Sequence, residues 1–296
     1  MQIIFLGTSC ATPTKDRNHS SFLLNYRDEG ILFDCGENTQ RQLKIAGIKP
    51  TKITKVLISH WHGDHVFGLP GLIYTLGMSE YNQTLRIYGP KGTKKYFGNM
   101  INSTADSPRI KIEIKEIDKG IFYDGRWFKL EAAKLEHRCP TLGYSFIEKN
   151  RRRINLSYIK KLGIPEGPLL GKLQEGKNIT FKGKTINIKD ATHLVKGKKI
   201  SFVADTRVCN GAYDLAKDAD LLIAASTYAS KDKDKAEKHS HMTAEEAGLI
   251  ASKSNVKQLI LTHFSQRYKN IHDLEEDARN VFDNSIAAKD FMKFNL

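Results

Sequence analysis

The chain has 296 residues, 40% of them hydrophobic and 27% charged, with 47 Lys and Arg against 33 Asp and Glu. That length can bury one large core, although it also allows two domains, and no apolar run approaches the ~20 residues that cross a bilayer. A net charge of +14 with pI ≈ 9.5 argues for a polyanionic partner, nucleic acid above all, over a merely solvated surface.

The N-terminus runs Met1-Gln2-Ile3-Ile4-Phe5 into a strand at 2–6, with no basic leader region or cleavage site, so a cytoplasmic location is expected. The four cysteines, Cys10, Cys35, Cys139 and Cys209, form no Cys-x-x-Cys pair, so neither a disulfide framework nor a thiolate zinc site is indicated. Strands at 20–26 and 30–34 lead to a helix over 37–46 behind Gly36, then to a strand at 54–58. The run His60-Trp61-His62-Gly63-Asp64-His65 leaves the carboxyl end of that strand, where α/β folds place their chemistry. Neutral imidazole and carboxylate are ligands that Zn²⁺ favours. Alternate residues point to one side and serve one metal; Asp64 and His65, pointing elsewhere, can serve a second.

Helices over 67–77 and 91–101 bracket a strand at 84–89, and strands at 127–136 and 142–148 follow with no helix between them. Residues 149–177 break the rhythm: Arg151-Arg152-Arg153, Lys160-Lys161, Pro165, Gly167-Pro168 and Gly171-Lys172 suit a protruding arm or a linker. Strands resume at 185–189, 199–203, 219–224 and 257–261, with helices over 242–254 and 272–282. Thr243 suits the N-cap of Ala244-Glu245-Glu246, and Asp273 with Glu275 and Glu276 suits a first helical turn. Adjacent strands within 110–148 and 178–203 argue for mixed sheets, so two sheets flanked by helices is the expected architecture.

The run at 60–65 needs a bridging carboxylate and further histidines to hold two metals. Three polar residues end apolar, strand-like runs as His60 does: His137 after Phe128–Leu135, Asp205 after Ile200–Ala204, and His263 after Leu259–Thr262. Two metals ~3.5–4 Å apart would clamp both oxygens of an in-line displacement at phosphorus. His19, His193, His239 and His272 lack that setting and read as surface or structural residues.

With these residues in place the chain resembles the metallo-β-lactamase superfamily and, more narrowly, the ribonuclease Z family in its short archaeal and bacterial form. The likeness runs nearly end to end. It is carried by Pro13-Thr14-Lys15-Asp16-Arg17-Asn18, by Phe33-Asp34-Cys35-Gly36-Glu37-Asn38-Thr39-Gln40 with Asn38 where glycine is usual, by Glu136-His137-Arg138-Cys139 through Gly143-Tyr144, and by Leu261-Thr262-His263-Phe264-Ser265-Gln266-Arg267-Tyr268. The resemblance implies an α/β fold, the αββα sandwich of two mixed sheets, as a single domain over 1–296 with the basic arm at 149–177 inserted in it. It implies an endoribonuclease that removes the 3′ trailer of precursor tRNA and leaves a 3′-hydroxyl, working with two Zn²⁺, or Mn²⁺. One metal falls to His60, His62 and His137, the other to Asp64, His65 and His263, with Asp205 between them. Asp64 is implied as general base and His241, in His241-Met242-Thr243, as the proton donor to the leaving 3′ oxygen. The arm is implied as an exosite for the tRNA, through Gly167, Pro168, Arg151, Arg152, Arg153, Lys160, Lys161 and Lys172. Lys15, Arg17 and Arg267 are further candidates for substrate contact, Arg267 being equally suited to pairing with a carboxylate. A homodimer is implied, with one subunit's arm serving the other's site; no membrane partner is.

One position departs from the family. A glutamate normally follows the strand at 219–224, and here the chain reads Ala224-Ala225-Ser226-Thr227-Tyr228, with Ala225 at the glutamate's place. That glutamate orients and charges the proton-donating histidine, which alanine cannot do. Reduced turnover is the expectation, through an inactivating substitution, a natural variant that recruits another carboxylate, or an RNA-binding protein with little catalysis. A small-molecule hydrolase of the same fold, a phosphodiesterase or lactonase, is the alternative that the arm and net charge disfavour.

Overall fold

The computed structural model describes residues 1–103, 105 and 108–296 and contains two seven-stranded sheets. In the first the order is Lys293–Asn295, Gln2–Gly7, Ser21–Tyr26, Glu29–Phe33, Ile53–Leu57, Thr84–Gly89 and Lys111–Glu116. From Glu29–Phe33 onward its strands are parallel. Parallel neighbours need crossover connections, and these carry the helices Thr39–Ile45, Leu69–Gly77 and Thr93–Ile101. Leu43, Leu72, Leu76 and Phe97 from those helices share one core with Ile4, Leu23, Val56 and Ile87 of the strands.

The second sheet runs Ser285–Ala287, Leu259–Thr262, Leu221–Ala225, Lys199–Val203, Thr141–Glu148, Phe128–Leu135 and Gly120–Asp124. Helices Asn210–Ala216 and Ala244–Lys253 pack on it, the latter begun by Thr243 in a capping box with Glu246. The two sheets meet through aromatic side chains: Phe22 and Phe33 both approach Phe202 edge-on, at 5.1 and 6.0 Å, and Tyr26 approaches Phe146 at 5.0 Å. The layers are therefore helices, sheet, sheet, helices. Most strand positions read from the sequence agree within a residue or two; the strand read at 185–189 is instead Lys184–Ile186, cut short by the helix Ile188–Ala191 that Asn187 caps, and Lys111–Glu116 and Gly120–Asp124, neither with a buried residue, gave no individual signal.

Two compact units share the chain. The first, Met1–Asp124 with Leu130–Phe146 and Lys199–Leu296, contains these layers. The second consists of Gly125–Lys129 and Ile147–Lys198. It has its own small core of Ile159, Ile164, Leu173, Ile179, Ile186 and Ala191. Around that core lie the helices Leu156–Lys161 and Pro168–Gln174, the pair Arg151–Ile154 with Thr192–Val195, and the hairpin Ile179–Phe181 with Lys184–Ile186. The basic segment read at 149–177 lies inside this unit, whose elements continue to 198. Its 57 residues hold 15 Lys and Arg against 4 Asp and Glu, a net +11 of the chain's +14.

Candidate metal centre

Register brings the donors together. Val203 pairs with Ala224 and Ala225 with Thr262, so three parallel strands end level and release Asp205, Thr227 and His263 at one edge. In the other sheet Phe33 pairs with Leu57, which sets Asp34 beside Ser59 and His60. Asp34 and His263 both take left-handed backbone, φ 54° and 63°, where non-glycine residues persist only when their surroundings over-determine them.

Two groups of ring nitrogens converge. His60 Nε2 lies 3.0 Å from His62 Nδ1, which lies 3.4 Å from His137 Nε2. His65 Nε2 lies 3.1 Å from His263 Nε2, and Asp64 Oδ2 is 3.5 Å from each of them. A tetrahedral Zn²⁺ with Zn–N of ~2.0–2.1 Å would separate its nitrogens by about 3.3 Å, so both groups are close to ligand spacing. Asp205 faces both groups, its Oδ2 3.8 Å from His60 Nε2 and 3.6 Å from His65 Nε2. This carboxylate is 2% exposed, and its Oδ1 has no hydrogen-bond partner among the described residues, although His263 Nδ1 is 3.1 Å away. A carboxylate so buried needs positive charge beside it, which the facing histidines or a bound cation supply. The donor set fits a pair of divalent cations.

Each imidazole is held through its other nitrogen. His65 Nδ1 meets Asp34 Oδ2 at 2.7 Å, and His60 Nδ1 meets Ser59 Oγ, which itself donates to Asp34 Oδ2. His137 Nδ1 faces the Ser240 carbonyl at 2.8 Å, His263 Nδ1 faces Thr227 Oγ1 at 3.1 Å, and His62 Nε2 faces Cys139 Sγ at 3.8 Å. Such partners fix tautomer and ring orientation. Burial disfavours a charged His65 or His263, but the carboxylates of Asp64 and Asp205 outweigh it and hold both imidazoliums well above their ordinary range. Burial likewise opposes ionised Asp64 and Asp205, yet the facing histidines keep both carboxyls well below theirs.

His241 stands beside this set, Nδ1 3.3 Å from Thr227 Oγ1 and 3.7 Å from Asp205 Oδ2. Burial lowers its pKa to about 4 against the pull of Asp205. Ala225, 2% exposed, ends its strand with no side-chain acceptor. The donors open on a cleft of about 350 Å³ whose lining includes Cys10, Asp64, Tyr228, His241 and Arg267. Arg267 lies over the Tyr228 ring at 5.2 Å and 3.8 Å from Asp232, so it both stacks and pairs. His239, read from the sequence as surface or structural, also lines the cleft, parallel to Tyr228 and 3.0 Å from Arg138.

Other candidates lie apart. Arg17 donates to the backbone carbonyls of Ser265 and Tyr268 and so clamps the segment behind His263, while Lys15 lines a separate cavity beside it. In the second unit Arg151, Arg153, Lys160, Lys161, Gly167, Pro168 and Lys172 are exposed, and half-buried Arg152 donates to Thr192 Oγ1. Sequence reasoning missed Asp34, Ser59, Thr227, Cys10 and Cys139 as parts of the centre. Only Asp34 had a signal, a polar residue ending a strand-like run.

Comparison with known proteins agrees with this geometry. The family profile of the Anti-Pycsar protein Apyc1 matches residues 1–107. The ribonuclease Z of Protochlamydia amoebophila is 39% identical over 293 residues, covering 99% of this chain and 95% of that one. The crystal structure of human tRNase Z, short form, superposes with a TM-score of 0.74 at 29% identity over 100% of this chain and 99% of that one. The metallo-β-lactamase fold protein YhfI of Bacillus subtilis superposes at 0.71 with 19% identity over 99% and 98%, which shows the fold. A metallo-β-lactamase sandwich bearing this donor set, and identity of that level along nearly the whole length, place the chain in the ribonuclease Z family.

Proposed function

We propose that this chain removes the 3′ trailer from precursor tRNA by hydrolysing one phosphodiester and leaving a 3′-hydroxyl. The observation that carries the reading is the pair of donor groups with Asp205 facing both. His60, His62 and His137 would hold one Zn²⁺ and Asp64, His65 and His263 the other, with Asp205 shared; Mn²⁺ suits the same nitrogen and oxygen donors. Bound there, the cations supply positive charge to the scissile phosphate and acidify water. Asp64 Oδ2, held by the Ala11 N–H at 2.7 Å, is placed to take a proton from the attacking water. His241, beside the centre, is read as the group that returns a proton to the leaving ribose oxygen. With Ala225 in place of a carboxylate, its ring nitrogen faces the Thr227 hydroxyl and Asp205 instead, and reduced turnover is the expectation.

The second unit, with +11 of net charge, is read as the inserted arm that grips the tRNA, so the chain remains one domain with an insertion. Phe67, Tyr74 and Met78, 62%, 56% and 61% exposed at helical spacing, support a homodimer through that face. Among the described residues no helix is long and apolar enough to cross a membrane, and the tRNA substrate favours the cytoplasm. The alternatives are a small-phosphodiester or lactone hydrolase and an RNA-binding protein with little turnover.

The test is cleavage of a 3′-extended precursor tRNA by this chain and by Ala225→Glu, with Zn²⁺ and Mn²⁺ compared. Glutamate is expected to raise the single-turnover rate by about tenfold or more, since a well-placed acid contributes ~10²–10⁴-fold. A change within about twofold rejects the pairing of position 225 with His241. Neither binding nor cleavage by either protein rejects the tRNA reading in favour of small substrates.

A further inference from the structure

We propose that Cys10 supplies a thiolate to the Asp64–His65–His263 end of the centre and gives that end a preference for a thiophilic cation. The inference rests on the two-cation reading above. Cys10 lies in the two-residue strand Ser9–Cys10, which pairs in parallel with Phe264–Ser265, so the strand that immediately follows His263 holds the cysteine in register with Ser265. The next residue, Ala11, donates its N–H to Asp64 Oδ2, so one turn anchors both side chains. Cys10 Sγ, an Asp64 oxygen and a His263 nitrogen all lie within 4.8 Å of one another. The thiol is 8% exposed, free of disulfide, and lines the cleft.

A second observation points to a cation at the same end. The buried Asp205 carboxylate belongs there, in a group with His65 and His263 whose donor atoms also lie within 4.8 Å of one another. Cys139 is different in kind. It faces His62 Nε2, while His62 Nδ1 is the atom turned toward His60 and His137, so this sulfur steadies a ring. Sulfur in an otherwise nitrogen and oxygen site favours Zn²⁺ or Cd²⁺ over Mn²⁺. As the sulfur–metal bond forms, the thiol proton passes to solvent.

The experiment is titration of the metal-depleted full chain with Cd²⁺, following the ultraviolet thiolate-to-cadmium charge-transfer band and the bound metal together. The expected result is a band in the wild type and in Cys139→Ser, and none in Cys10→Ser or Cys10→Ala. The Zn²⁺-over-Mn²⁺ affinity ratio should fall by about tenfold or more in Cys10→Ser, as soft-ligand selection requires. Alkylation of the wild type, mapped by mass spectrometry, should label Cys10 without metal and spare it with Zn²⁺, a readout that needs no variant to fold. Cadmium bound with no band, a band that survives in Cys10→Ser or vanishes in Cys139→Ser, or equal Cys10 labelling with and without Zn²⁺ overturns the proposal. Failure to bind any cadmium instead overturns the two-cation reading, so the two failures are distinct.

Discussion

Asp34 accepts the Ser59 backbone N–H at 2.7 Å and the Ser59 hydroxyl at 2.8 Å while meeting His65 Nδ1 at 2.7 Å. One buried carboxylate therefore orients a ring in each donor group, His65 directly and His60 through Ser59. Asp34→Asn should weaken zinc affinity by about 10–100-fold, the usual effect of losing such a partner, measured by competition with a chelator. An unchanged affinity would reduce Asp34 to packing. The candidate ligands were legible in two ways: His60 to His65 by the spacing of one run, and His137, Asp205 and His263 because each ends an apolar, strand-like run as His60 does. Asp34, Thr227 and Cys10 were not assigned roles, because their roles depend on strand pairings across long sequence distances. Asp290 shows a different sensitivity: burial pushes its pKa up to about 6 despite hydrogen bonds from Thr8 and Asn18. The folded chain then binds this proton more tightly than the unfolded chain, so the contribution is full near pH 4 and lost as pH rises through about 6. The loss should be about 1 kcal/mol after allowance for the partial exposure of the group. Stability at pH 7 relative to pH 4, from denaturant unfolding, should be higher by about 1 kcal/mol in Asp290→Asn than in the wild type; an identical pH dependence would disprove the shift.

His241 owes its position to the elements around it. Its backbone N–H donates to the Ala236 carbonyl of helix Lys233–His239, and two residues later Thr243 caps helix Ala244–Lys253 through the reciprocal bonds with Glu246. Thr243→Ala should cost about 1 kcal/mol of stability, the usual value of a lost cap. In a chain of this size the thermal midpoint would fall by roughly 2–4 °C. An unshifted midpoint would mean that packing alone sets this helix start. The cap was readable from the sequence because Thr-x-x-Glu before an apolar run is a local signal. Helices Asn210–Ala216 and Lys233–His239, short and with no side-chain cap at either start, were not. The level ends of Lys199–Val203, Leu221–Ala225 and Leu259–Thr262 were invisible for another reason: register between strands is a tertiary fact, and it is what brings Asp205, Thr227 and His263 together.

Charge separates along the chain as strongly as structure does. The layered unit is nearly balanced, while the second unit carries +11 in 57 residues, so on the proposed reading a polyanion is drawn chiefly to that unit. Arg151, Arg153, Lys160 and Lys161 are exposed, and none forms an ion pair among the described residues, leaving them available to phosphates. Each phosphate contact that releases a counterion adds about 0.9 to the slope of log affinity against log salt on a duplex. Replacing all four with alanine should therefore weaken precursor tRNA binding at moderate salt and flatten that slope by up to about 3–4. The metal donors are untouched by these changes, so zinc stoichiometry and the hydrolysis of a small chromogenic phosphodiester should match the wild type. Binding measured across a salt series separates the possibilities. A slope equal to the wild type's would remove these residues from the RNA interface, and a loss of small-diester hydrolysis alongside tRNA binding would mean that the substitutions damaged the fold instead of the grip.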